Sequence, residues 1–407
     1  MPPDLSKKRV VIVGGSFGGI NTAYALRRKL HERVEITVIS RDAEFTFIPS
    51  LPWVVLGWRN PRQLVVPLDG PLARRGIRFV HGDVLELHTD RAEVRTAAET
   101  FPYDYLVIAS GAELDYAAVP GIGPGAHTQS TFTAAEATAA RDALARTLRL
   151  DRGRIVIGAA PGASCIGPAY EIAMQIDTAL RRVRRRHRFR IEFVTPEPFV
   201  GHFGVGGIGS SGRMFEDEFA ERHIDGIVNA SIVEVRSDRL HLADGTEHPF
   251  DFSLVIPAFL GSPFVRGVSG LANPRGFITV TPELRSSTFE NIYAVGVAIA
   301  IAPPSPTPVP VAVPKTGGMT DFMAQAAAQN IAADIAGGSR VDALTLAASC
   351  IADAGDTAFW LRADPFLPPR NRVQHRRGKW AHYVKAAFER YYLARVRHDW
   401  PPLEFGW

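Results

Sequence analysis

The chain has 407 residues, 46% hydrophobic and 22% charged, enough apolar mass for two or three cored domains and too much for a disordered chain. Its formal net charge of +4 permits attraction to an anionic surface, but no nucleic-acid motif accompanies it. Cys165 and Cys350 stand far apart outside any CxxC, and the twelve histidines show no ligand spacing, so no metal site is expected.

Residues 9–14, "RVVIVG", read as a buried strand. "GGSFGG" then opens a helix, "INTAYALRRKL", and "VEITVIS" follows as a second strand ending at Ser40. Such a βαβ unit cradles a pyrophosphate on backbone amides at a helix N-terminus. Gly14, Gly15, Ser16, Phe17, Gly18 and Gly19 are the candidate contacts. Ser16 stands where the second glycine is usual, and Ser40 and Arg41 replace the expected acidic residue, with Asp42 just beyond. Two later strands also end in small-residue turns: "YDYLVIASG", with Ser110 and Gly111, and "TFENIYAVGVAIAI", with Gly296 and Val297. The three segments resemble those that bind FAD in flavoproteins with two dinucleotide domains. They imply an FAD domain of residues 1–125 and 264–335, split around an insertion of residues 126–263.

The insertion starts its own nucleotide-like turn at "RIVIGAAPGASC", but Pro161 and Cys165 occupy it. The next strand, "RIEFVTPEP", brings Glu197 one step late for a ribose, so the NAD(P)H site is expected to be lost. The arginine-rich run at 180–190 falls at a helix end, where cations suit the macrodipole and remain solvated. "APPSPTPVPVAVPKTG" has too many prolines for a helix and reads as a rigid extended segment across the flavin. Residues 336–407 form a C-terminal segment with a helix, "KWAHYVKAAFERYYLARV". Trp380, Tyr383, Val384, Ala387, Phe388, Tyr391 and Tyr392 form its stripe, flanked by Lys379, Lys385, Arg390 and Arg395. That pattern suits either a helix docked on the core or one at a membrane interface. There is no charge-free apolar run of about 18 residues and no signal-peptide pattern at the N-terminus, so a soluble chain with surface attachment is expected.

Together with "FTFIPSLPWVVLGW", "GASCIGPAYE", "VGHFGVGGIG" and "CIADAGDTAF", these stretches resemble the sulfide:quinone oxidoreductases, a branch of the flavoprotein disulfide reductases, nearly end to end. The resemblance implies an α/β fold of two Rossmann-like domains with a short C-terminal helical segment on the membrane and quinone side. It implies non-covalent FAD, with Asp83 and Val84 among its contacts, and a Cys165/Cys350 pair that handles substrate sulfur. Lys315 of "PKTG" would stabilise charge on reduced flavin, and Glu171 and His202 would handle protons. Phe47, Pro49, Ile351, Phe388 and Phe405 would face the quinone. The implied partners are sulfide, a membrane quinone and the cytoplasmic face of a membrane, held peripherally; an assembly of identical chains is left open. Cys165 opens a predicted helix, whose N-terminus is expected to lower its thiol pKa.

One departure stands out. Many members carry a third cysteine where Phe132 lies in "STFT", and a histidine where Glu136 lies. Covalent flavin through that thiol is therefore excluded, and product release through it is in doubt. The alternatives are a flavocytochrome c-type sulfide dehydrogenase flavoprotein, a type II NADH:quinone reductase-like enzyme, and a non-catalytic flavin- or sulfide-binding protein.

Overall fold

A computed structural model describes residues 7–343 and 347–402. Its first sheet is wholly parallel, in the order Ile292–Ala294, Tyr105–Ile108, Lys8–Val13, Val34–Ser40, Arg78–His81. Val10, Val11, Ile12 and Val13 of the central strand are all buried, as expected of a parallel strand covered on both faces. The Phe17–Leu30 helix follows that strand and packs along the Gly317–Ala336 helix. Both expose small residues to the contact, which lets the axes approach. Gly18 is one of them, its Cβ direction facing Thr320 Cγ2 at 3.4 Å, whereas Gly19 makes the helix–strand contact: a Cβ there would lie 1.8 Å from the Gly14 carbonyl oxygen.

The chain leaves this sheet after Ile108 and builds a second parallel sheet, ordered Ile224–Ile227, Phe189–Val194, Gly153–Ala159, Phe252–Ile256. Departure and return lie side by side, because Ala112–Asp115 pairs antiparallel with Ala258–Gly261. The strand Ile292–Ala294 then joins the first sheet across a large sequence gap. Residues 302–314 form no helix or strand. A three-stranded antiparallel sheet, Ala348–Asp353, Ala358–Asp364 and Arg372–Gly378, leads directly into the Lys379–His398 helix.

That helix departs from the expected stripe. Its inward face is Ala381, Lys385, Glu389, Tyr392, Arg395 and Val396, while Trp380 and Tyr383 are 41% and 70% exposed. Tyr392 is buried against Phe17, Phe45 and Phe47, and Tyr24 Oη donates to the Val396 carbonyl at 2.8 Å. Two of the four flanking cations are turned inward into ion pairs, Lys385 with Glu171 and Arg395 with Asp321. Burial forces that pairing, since a lone charge in the core is costly. Lys379 and Arg390 stay exposed. The helix is thus docked on the core, with aromatic residues still left outside.

The arginine-rich run is likewise engaged within the fold. Arg181 and Arg186 bind Asp177, Arg188 binds Asp151, and Arg185 donates to the carbonyls of Leu148 and Leu150. Among the described residues, no helix is long and apolar enough to cross a membrane.

Candidate active site

The carboxyl ends of the first sheet's strands open into a cavity of about 1800 Å³. Gly14 starts its wall at φ +117°, a conformation only glycine holds without strain, and its N–H donates to the Ile39 carbonyl at 2.8 Å. A Cβ there would meet the Ala109 carbonyl oxygen at 2.3 Å. Ser16 precedes the Phe17–Leu30 helix without capping it through its side chain, and no acidic residue occupies the first turn. The helix N-terminus therefore faces the cavity free of an internal anion, as a bound pyrophosphate requires. Gly14, Gly15, Ser16, Phe17 and Gly18 line this end, followed by Ser40, Arg41, Asp83 and Val84. Ser110, Gly111, Gly296 and Val297 line the wall beyond. This set fits an FAD laid across the strand ends. Gly19 is not on the wall; it serves the helix–strand contact described above.

Cys165 lies just ahead of the Gly167–Arg182 helix and Cys350 within the Ala348–Asp353 strand. Both are free, partly buried thiols on the wall of the same cavity, with Glu171 and Lys315. The expectation of a depressed Cys165 pKa is corrected here. Burial pushes that thiol up to about 11, reinforced by Glu171, and the Lys315 ammonium only partly offsets it. Burial, then Glu171, pushes Cys350 up to about 12. Lys315 donates to the Ile299 carbonyl at 3.1 Å, and burial lowers its pKa to about 8. Glu171 accepts from Lys385 Nζ at 2.5 Å, yet burial outweighs the ammonium and raises its carboxyl to about 7.

The second nucleotide turn is filled by the chain itself. Gly162 N–H donates to the Pro310 carbonyl at 2.6 Å, and the Ala163 carbonyl accepts from Ala312 N–H at 3.1 Å. Glu197, the late acidic residue, is fully buried and accepts from Tyr170 Oη and Thr195 Oγ1, each at 2.7 Å, and from Phe203 N–H at 2.6 Å. It cannot reach a ribose. His202 is not on the cavity wall either. It is buried beside Phe199, and its Nδ1 accepts from Gly204 N–H at 3.1 Å, fixing a turn that packs on Ala312.

Phe47, Pro49, Ile351 and Phe388 also line the cavity, with Phe47 and Phe388 edge to face at 6.0 Å. Phe405 lies outside the described residues. Phe132 also reaches the wall, edge to face with Phe259 at 5.3 Å. Glu136 holds that turn by accepting from Tyr116 Oη, Ser130 Oγ and the amides of Phe132 and Thr133, at 2.9–3.1 Å. Sequence reasoning missed Asp353 and the inward side of the C-terminal helix, His382 and Lys385. The only signal was their spacing on one helix and their closeness to Cys350, which belongs to no motif by itself.

The profile of the pyridine nucleotide-disulphide oxidoreductase family matches residues 8–316. The sulfide-quinone reductase of Aquifex aeolicus is 41% identical over 398 residues, covering 96% of this chain and 91% of that protein. The X-ray structure of the Aquifex aeolicus sulfide:quinone oxidoreductase superposes with a TM-score of 0.91 at 40% identity, over 96% of this chain and 91% of that one. A type II NADH:quinone oxidoreductase of Mycobacterium tuberculosis is 27% identical over 319 residues, covering 71% of this chain and 66% of that protein.

Proposed function

Since the chain belongs to the pyridine nucleotide-disulphide oxidoreductase family, in its sulfide:quinone reductase branch, we propose that it oxidises sulfide to zero-valent sulfur or polysulfide and passes two electrons to a quinone. The observation that carries this reading is the sharing of one cavity by both thiols, the dinucleotide turn and the Phe47/Phe388 wall. FAD, the family's cofactor, would supply a two-electron acceptor for the sulfur chemistry and a donor for the quinone. The turn from Gly14 to Gly18 and the wall at Ser110, Gly111, Gly296 and Val297 would hold it without a covalent bond, Phe132 standing in place of an attachment thiol.

The working form of the cysteines is the oxidised pair, bridged directly or through sulfur. Hydrosulfide attacks one sulfur of that bridge; an S–S bond breaks, leaving a persulfide on one cysteine and a thiolate on the other. The raised thiol pKa values then have a use. A thiolate released where its proton affinity is high is strongly nucleophilic, since nucleophilicity rises with pKa. Lys315 sits close enough to Cys165 for their charges to interact, and offsets the anion. Glu171, held near 7, is poised to take or give a proton at working pH. Phe47, Pro49, Ile351 and Phe388 supply the apolar walls a quinone ring needs.

The exposed Trp380 and Tyr383, with Lys379 and Arg390, support peripheral attachment to a membrane, where the quinone resides, and the reading puts the chain on its cytoplasmic face. An anaerobic titration tests the whole reading. Sulfide should bleach the flavin band stoichiometrically, and a short-chain quinone should restore it. A flavin that sulfide leaves oxidised refutes it.

A further inference from the structure

A set of buried polar groups runs from the cavity wall to the surface beneath the C-terminal helix. Glu171, on the wall, holds Lys385 at 2.5 Å. Asp353, fully buried on the strand that carries Cys350, is close enough for its charge to act on Glu171. One of its carboxylate oxygens accepts from Trp53 Nε1 at 2.7 Å and from Gln175 Nε2 at 3.2 Å. The other lies 2.6 Å from His382 Nδ1. The His382 side chain is 30% exposed, so it is where solvent meets this set.

We propose that His382, held by Asp353, is the solvent-side proton donor for quinone reduction, recharging the Glu171–Lys385 pair at the cavity wall. The inference rests on the quinone-reduction reading above. Its need follows from the proton balance. Hydrosulfide loses two electrons and one proton on becoming zero-valent sulfur. The quinone takes up two electrons and two protons, forming two O–H bonds. One proton per turnover must therefore come from water, and it must reach the part of the cavity beside the thiols, where Glu171, Lys315 and Lys385 are buried.

The geometry suits His382 to that task. Its Nδ1–H donates to the Asp353 carboxylate, which fixes the tautomer and leaves Nε2 to exchange with water. The Trp53 and Tyr383 rings, 5.6 and 5.5 Å away, hold the imidazole in place. The charged groups around it are few. Asp353 faces it from the strand, with Glu171 behind on the Gly167–Arg182 helix. Lys385 lies one turn along its own helix, and Arg59, paired with Glu389, lies over the Trp53 ring at 4.5 Å. Asp353 is the anion next to the ring, so a proton taken up at Nε2 can be matched by passing the Nδ1 proton to its carboxylate.

Stopped-flow on the holoenzyme separates the two halves of the reaction: bleaching by sulfide without quinone, then reoxidation by a short-chain quinone in the presence of a pH-indicator dye. His382→Ala should slow reoxidation and dye-reported proton uptake together by about tenfold or more near pH 8, while bleaching stays within about twofold. Imidazole should restore the reoxidation rate in proportion to its concentration. His382→Asn keeps an N–H where Nδ1 donates to Asp353 but has no titratable group, so it should be as slow as His382→Ala. Wild-type reoxidation in either variant, or slow reoxidation of His382→Ala that imidazole does not restore, overturns the proposal. A wild-type protein that sulfide bleaches but quinone does not reoxidise overturns the quinone reading itself, and the wild-type trace alone reveals it.

Discussion

Gly162 donates its backbone N–H to the Pro310 carbonyl at 2.6 Å, so the turn that would cradle a nicotinamide dinucleotide is closed by the chain's own proline-rich segment. Glu197 completes the closure by turning its carboxylate into the core. NADH should therefore leave the flavin band unchanged under anaerobic conditions, at concentrations where sulfide bleaches it within the same observation time. Bleaching by NADH at a comparable rate would restore the NADH:quinone reductase alternative.

Cys165→Ser and Cys350→Ser should each abolish bleaching by sulfide while the purified proteins stay yellow. Both thiols stand on elements other than the Gly14 turn, so flavin retention should not depend on them. Because the pair works as one unit, the double variant should be no slower than either single one. Near wild-type turnover in either single variant would remove the bridge from the mechanism.

Acid precipitation should release the flavin into the supernatant, because Phe132 offers no thiol for attachment. Phe132→Ala opens the edge-to-face contact with Phe259 and should weaken FAD retention, read as faster flavin loss in dilute solution. Colour kept in the acid pellet would refute the non-covalent assignment.

Stability should fall as pH rises from about 4.5 to about 7. Burial raises Glu171 from 4.5 to about 7 and does the same to Glu197. Between those limits the folded chain binds protons that the unfolded chain has lost, so each unit of rising pH favours unfolding. Each group contributes on the order of 3 kcal/mol across the window, at about 1.4 kcal/mol per unit. Glu171→Gln should remove roughly half of that slope, measured as melting temperature against pH. An unchanged slope would show that Glu171 is ionised throughout.

Co-sedimentation with anionic vesicles tests the membrane surface. With Lys385 and Arg395 committed to inward pairs, attachment falls to exposed aromatic residues and the remaining cations. High salt should weaken binding without abolishing it, and Trp380→Ala with Tyr383→Ala should lower the bound fraction at every salt concentration. Absence of binding under all conditions would refute peripheral attachment.

Local patterns of sequence determined the parts of this protein that depend on near neighbours. The apolar run 9–14, the glycines after it and the small-residue turns at Gly111 and Gly296 announce strands ending in a dinucleotide site, because backbone conformation and burial period are short-range properties. The motifs around Cys165 and Cys350 made the two thiols legible as a pair by resemblance. Their electrostatics were not legible: a helix N-terminus argued for a low thiol pKa, while burial, a property of the whole fold, raised it. His202 illustrates the same limit, since its place off the cavity wall depends on how the 199–209 loop packs against the proline-rich segment. The C-terminal helix shows it most clearly. Its spacing allowed two faces, and only tertiary contact decided that Lys385, Glu389 and Arg395 go inward, because Glu171, Arg59 and Asp321, each distant in sequence, were there to neutralise them.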